Sequence, residues 1–157
     1  MYKRALVPLD GSIVAESIIP FILQIAGPLD LDVTLLKVVV PAAPAVVEAG
    51  PVVIDDTDKL VGEAEAYLLP FARELRAKGV RVTTDVRRGQ PIPEILAGVR
   101  TAQADLIIMT THGRTGFGRL LFGSVAEGVL RQADVPVFLM RQTEAELAAR
   151  SVWQPIR

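Results

Sequence analysis

Four short apolar runs recur along the chain: ALVPL (5–9), VTLLKVVV (33–40), DLIIMT (105–110) and VPVFLM (135–140). Their apolar residues are mostly consecutive, which predicts strands covered on both faces, as in a parallel sheet. A fifth run, VRVTTDV (80–86), alternates more and is placed nearer an edge. Helical periodicity fills the gaps. It predicts a first helix over 12–26, capped by Ser12, kinked at Pro20 and stopped by Gly27-Pro28. A second is expected over 57–78, with Pro70 a local defect and Gly79 its stop. A third follows Pro91 and Pro93 to Gln103, and a fourth starts near Ser124 and ends by Asp134. Strands and helices thus alternate without an internal repeat, the pattern of an open parallel sheet with helices on both faces. Two stretches stand outside it. The proline-rich segment 40–56 lacks any period and reads as a long loop. The tail 142–157 reads either as a short added helix or as a loose end.

Composition narrows the class. A length of 157 residues suits one domain, and 50% hydrophobic with 22% charged residues excludes global disorder. A net charge of −1 gives no electrostatic case for a nucleic acid or an acidic membrane surface. Without cysteine there is no disulfide frame and no thiol chemistry, which is compatible with a reducing cytoplasm. The opening MYKRALVPLD has no signal-peptide segment, and no apolar run approaches the ~20 residues needed to cross a bilayer. The expectation is a cytoplasmic protein with neither nucleic acid nor membrane as partner.

In open α/β sheets, ligands bind beyond the carboxyl ends of the strands where the strand order reverses. That rule selects 8–12, 38–41, 87–91 and 110–124. The last, TTHGRTGFGRLLFGS, is much the longest and runs into a helix start. Glycine lets backbone N–H groups approach a ligand, and the helix N-terminus adds partial positive charge, so the segment suits an anion. Ser124 reads either as an ordinary cap or as a hydroxyl turned toward a phosphate. No G-x-x-x-x-G-K-[ST] is present, and Gly116 to Gly118 lacks the third glycine of a dinucleotide fingerprint. Asp10 fits a turn as well as a ligand role. His112, the only histidine, reads as a hydrogen-bond partner within its loop before a catalyst. Arg87 and Arg88 read as a solvated strand end, and Glu94 as a first-turn charge.

The segment 105–141, together with ALVPLDGS (5–12), VTLLKVVV and RRGQPIPEI (87–95), closely resembles the universal stress protein family. The likeness covers residues 2 to 141 in register. It implies a domain over 1–141 and a Rossmann-like, adenine-nucleotide-binding fold whose five parallel strands run 3-2-1-4-5. The nucleotide-binding branch carries Gly-x-x-Gly, nine residues, then Gly-Ser or Gly-Thr. Gly113, nine residues and Gly123-Ser124 match, while Thr110 replaces the first glycine and narrows the backbone approach. Carried over by position, the resemblance implies ATP with Mg²⁺. Asp10 would lie near the ribose or the phosphate-bound metal, and the backbone of Val38 near the adenine edge. Pro8 and Leu9 would form an apolar wall, and Met109 would flank the base. Gly113, Gly123, Ser124 and Val125 would hold the phosphates. Arg114 and Arg119, outside the motif, would be within reach of a triphosphate.

The function this implies is an ATP-binding regulatory or stress-response module with little or no turnover and no assigned catalytic residue. Two other classes stay open. One is a slow ATPase or hydrolase built from Ser124, His112 and Asp10, although Ser124 lacks the G-x-S-x-G elbow. The other is a dimeric interaction module holding no nucleotide, or AMP or a cyclic nucleotide. A homodimer is expected through the last strand, by Val135, Val137, Phe138 and Leu139. That run is short, apolar and, in the implied order, an unpaired edge. Val137 and Leu139 should point to one face, Phe138 and Met140 to the other.

Overall fold

The computed structural model describes residues 1–41, 45–47, 50–52, 56–113 and 123–143. The first strand, β1 (Arg4–Pro8), buries Ala5, Leu6 and Val7, alternate residues going to opposite faces of the sheet. Ser12 then caps α1 (Ile13–Glu16), its Oγ accepting the Ala15 N–H at 3.1 Å. In place of the single kinked helix expected over 12–26 there are two, α1 and α2 (Ile19–Leu29). Pro20 is the reason. A first-turn N–H has no helical acceptor, so a proline costs nothing there, and the chain restarts at α2 instead of bending. The stop also moves from Gly27-Pro28 to Asp30, whose left-handed φ of 52° lets Leu31 N–H reach the Ala26 carbonyl.

β2 (Asp32–Val39) pairs in parallel with β1, Arg4 opposite Asp32 and Pro8 opposite Leu36. Within 40–56, where an irregular loop was expected, lies the antiparallel pair β3 (Ala45–Val47) and β4 (Gly50–Val52). Strands this short show no readable period. α3 (Thr57–Ala77) tolerates Pro70 and is closed by Gly79 at φ +82°. β5 (Arg81–Arg88) lies along β2, followed by α4 (Pro91–Thr101), with both prolines in its first turn. β6 (Leu106–Gly113) extends three residues past the expected end at Thr110. α5 (Ser124–Gln132) leads to β7 (Val137–Thr143), which starts two residues after Val135 and runs on into the stretch read as tail.

The large sheet has the order β5-β2-β1-β6-β7 with every neighbouring pair parallel, which in chain order of its five strands is 3-2-1-4-5. β5 is an edge, as its alternation implied. One core packs Val7, Leu35 and Ile108 against α2 and α3. The other packs Leu6, Leu36 and Ile107 against α4 and α5. This two-sided burial is why the strands read as continuous apolar runs. Ile107 is fully buried, and truncating it to Ala would cost about 2–5 kcal/mol. Gly128 of α5 has a packing role, because a Cβ there would overlap Ile92 of α4. Among the described residues, no helix is long and apolar enough to cross a membrane.

Candidate functional site

The strand order reverses between β1 and β6, and a cleft of about 240 Å³ opens beyond their carboxyl ends and that of β2. Its walls follow from the fold. Pro8, Leu9 and Asp10 come from the end of β1, Val38 from β2, and Met109 and Thr110 from β6. Gly123, Ser124 and Val125, from the head of α5, close the opposite side. All nine were nominated from sequence. His112 and Gly113 form the last rungs of β6, their backbones opposite Gln142 and Thr143 of β7. Arg114, Arg119, Gly116 and Gly118 lie outside the described residues, as does the His112 side chain.

Asp10 stands in the turn and at the cleft at once. Its Oδ1 accepts the Ser12 N–H at 2.8 Å, so it does build the turn, and it also lines the cleft. Partial burial works against its charge. The hydroxyl and N–H of Ser12 and the nearby Lys37 ammonium outweigh that, holding the carboxyl below its usual range. Asp10 is the only carboxylate lining the cleft among the described residues. A lone carboxylate holds Mg²⁺ well only together with ligand phosphates, which fits a metal arriving with a nucleotide and not a resident ion.

The head of α5 differs from expectation. Gly123, with φ −56° and ψ 151°, is the N-cap, and Ser124 is the first helical residue. Ser124 therefore has no capping task, and among the described residues no side chain caps this helix. Glu127 N–H makes the first helical bond, to the Gly123 carbonyl, so the N–H groups of Ser124, Val125 and Ala126 have no acceptor within the helix. Gly123 N–H donates to Thr111 Oγ1 at 3.3 Å. Neither its backbone angles nor its described neighbours demand glycine at 123. A Cβ there would meet no described atom within 4 Å. Gly123 itself lines the cleft.

Sequence reasoning missed Lys37 and Thr111. Lys37 Nζ donates to the Asp10 carbonyl at 2.5 Å and lies 5.4 Å from the centre of the Tyr67 ring. Burial pushes its pKa down, partly offset by Asp10. The Tyr67 hydroxyl donates to Glu16 Oε1 at 3.0 Å, and burial with the Glu16 charge holds that phenol far above its ordinary range. The signal for Lys37 was visible: it is the one charge inside VTLLKVVV. Arg87 also needs correction. It is no solvated strand end but 23% exposed, bonded to Glu94 at 2.9 Å and to Asp85 at 3.3 Å, because α4 folds back over β5. Arg88 is the exposed one, paired with Asp58.

The universal stress protein family model matches residues 1–141. The universal stress protein MJ0531 of Methanocaldococcus jannaschii is 32% identical over 148 residues, covering 93% of this chain and 86% of that protein. The solved structure of MJ0577, from the same organism, superposes with a TM-score of 0.71 at 26% identity, over 90% of this chain and 97% of that one. A universal stress protein of Archaeoglobus fulgidus, solved in complex with dAMP, gives a TM-score of 0.63 at 20% identity, over 88% and 97%. This chain belongs to the universal stress protein family.

Proposed function

We propose that this chain binds an adenine nucleotide, ATP with Mg²⁺, in the cleft between β1 and β6. It acts as a cytoplasmic regulatory module of one domain, 1–141, with little or no turnover. The observation that carries this reading is the head of α5. Three N–H groups without helical acceptors follow a glycine whose side-chain position meets no described atom within 4 Å. A row of N–H groups with no acceptor in their own helix suits phosphate oxygens. The apolar wall of Pro8, Leu9, Val38 and Met109 suits a base, and Asp10 suits ribose hydroxyls or the phosphate-bound Mg²⁺. The test is to denature protein purified from cells and identify released nucleotide by mass spectrometry. Release of an adenine nucleotide is expected; a preparation that holds none and takes up none in calorimetry overturns the reading.

A monophosphate is the second reading. Thr110, lining the cleft where the family motif has glycine, favours a smaller phosphate group, and the Archaeoglobus relative was solved with dAMP. Competition between ATP and AMP in the same calorimetric cell separates the two. For hydrolysis, Asp10 and Ser124 both line the cleft, yet nothing described activates Ser124 as a nucleophile. Phosphate release slower than about 1 per second is expected.

A homodimer through β7 completes the proposal. As expected, Val137 and Leu139 face the α4–α5 core, while Met140 faces the other. Phe138, on the Met140 face, stacks on Phe21 with ring centres 4.7 Å apart. β7 is an edge strand, and its outer backbone has no sheet partner among the described residues.

A further inference from the structure

We propose that Lys37 is a positioning residue for the nucleotide site, acting from the reverse face of the sheet through the Asp10 carbonyl. The inference rests on the nucleotide reading above. β2 alternates, so Leu36 and Val38 face the cleft while Lys37 faces α3. Its ammonium reaches over the end of β1 and donates to the carbonyl of Asp10 at 2.5 Å. Directly beyond, Gly11 turns at φ +94°, and a Cβ on it would lie 3.4 Å from Lys37 Nζ. The turn that carries Asp10 is thereby held by Ser12 on the carboxylate and by Lys37 on the carbonyl.

Packing alone does not call for this charge. Every other residue from Val33 to Val39 except Thr34 is aliphatic, and an aliphatic side chain at 37 would fill the same space beside Tyr67. A partly buried ammonium loses hydration, and a single carbonyl with a ring nearby returns only part of it. Lys37 has no ion-pair partner within 4.0 Å among the described residues, so stability is a poor explanation for its presence. Its contact, and its positive charge beside Asp10, both act on the one carboxylate that lines the cleft among the described residues.

The test is an ATP titration by calorimetry on wild type, Lys37→Met, Asp10→Asn and the double variant, with thermal melting of each. Met keeps the stem over Tyr67 and removes only the charge and the donor. Lys37→Met should weaken ATP binding at least tenfold with little change in melting temperature. In the Asp10→Asn background the same change should cost less than threefold, because the group being positioned is already gone. A merely structural role predicts the same factor in both backgrounds, and that result overturns the inference. So does unchanged affinity in Lys37→Met when wild type binds. If wild type binds no nucleotide, the proposed function itself fails first. Lys37→Gln replaces Met under the same criteria should that variant not fold.

Discussion

Gly123 N–H donates to Thr111 Oγ1 across 3.3 Å, joining the carboxyl end of β6 to the head of α5. The two residues are separated by the nine-residue interval that the family motif counts, plus Gly113 and His112. Thr111 is 4% exposed, so its hydroxyl has little access to water as an alternative partner. One side chain therefore links the glycine at the head of α5 to the end of β6.

Thr111→Val should keep the shape and remove the acceptor. The bond is long, so the expected loss is at the lower end for an unsatisfied buried group, about 1 kcal/mol, read from urea unfolding. Nucleotide affinity should fall as well, because the head of α5 loses its anchor. A variant as stable as wild type with unchanged affinity would show that the contact does not set the helix position.

Gly123→Val places side-chain atoms at the cleft where no described atom lies within 4 Å of the Cβ position. Wild-type affinity is expected to be low-micromolar or weaker, about −8 kcal/mol at best. The variant should lose measurable binding while its urea midpoint stays close to wild type, since no described neighbour is displaced. Unchanged affinity in calorimetry would put the ligand elsewhere.

Much of this was legible because the strands are covered on both sides. Leu6 and Val7 go to different cores, so ALVPL carries no alternation and reads as a buried parallel strand. The cleft residues follow from the ends of those strands. What was not legible turned on partners distant in sequence. Pro20 reads equally as a kink or a first-turn residue until the packing of α1 and α2 decides it. Arg87 looks solvated until α4 brings Glu94 back beside it. Lys37 stands out as a charge in an apolar run, but only the β1–β2 register aims it at Asp10. Serine caps well, so Ser124 reads as a cap as readily as a phosphate-facing hydroxyl, whereas Gly123 holds the cap position.

Acid should weaken the fold through Asp105. Its carboxylate accepts the backbone N–H groups of Lys3, at 2.9 Å, and Arg4, at 3.0 Å, tying the start of β1 to β6. Desolvation raises its pKa, but these bonds outweigh it, and the native value lies below the usual 3.8. A group depressed in the folded state contributes stability fully above its unfolded pKa and loses it as pH falls through the folded one. The part of the urea midpoint due to Asp105 should therefore be constant from pH 7 to 5 and drop below pH 4. Asp105→Asn should be less stable at pH 7 and show a shallower acid slope. An identical slope in the variant would remove Asp105 from the account.

The edge strand gives the last test. β7 runs from Val137 to Thr143, so cutting the chain after Arg141 would remove two of its rungs, and the informative truncation falls after Thr143. An open edge of a parallel sheet exposes unpaired N–H and C=O groups, and two copies meeting across a two-fold axis would satisfy both edges. Phe138 adds apolar surface beside that edge: it is 41% exposed although stacked on Phe21. Light scattering of the full chain at tens of micromolar is expected to give twice the 16.9 kDa chain mass. The chain ending at Thr143 should do the same, since β7 is intact in it. A dimer only in the full chain would assign the contact to residues 144–157, and a monomer in both would remove β7 as an interface. Phe138→Lys should halve the mass with the far-ultraviolet spectrum unchanged, because the ring is already partly in solvent and its loss disturbs only the stack on Phe21.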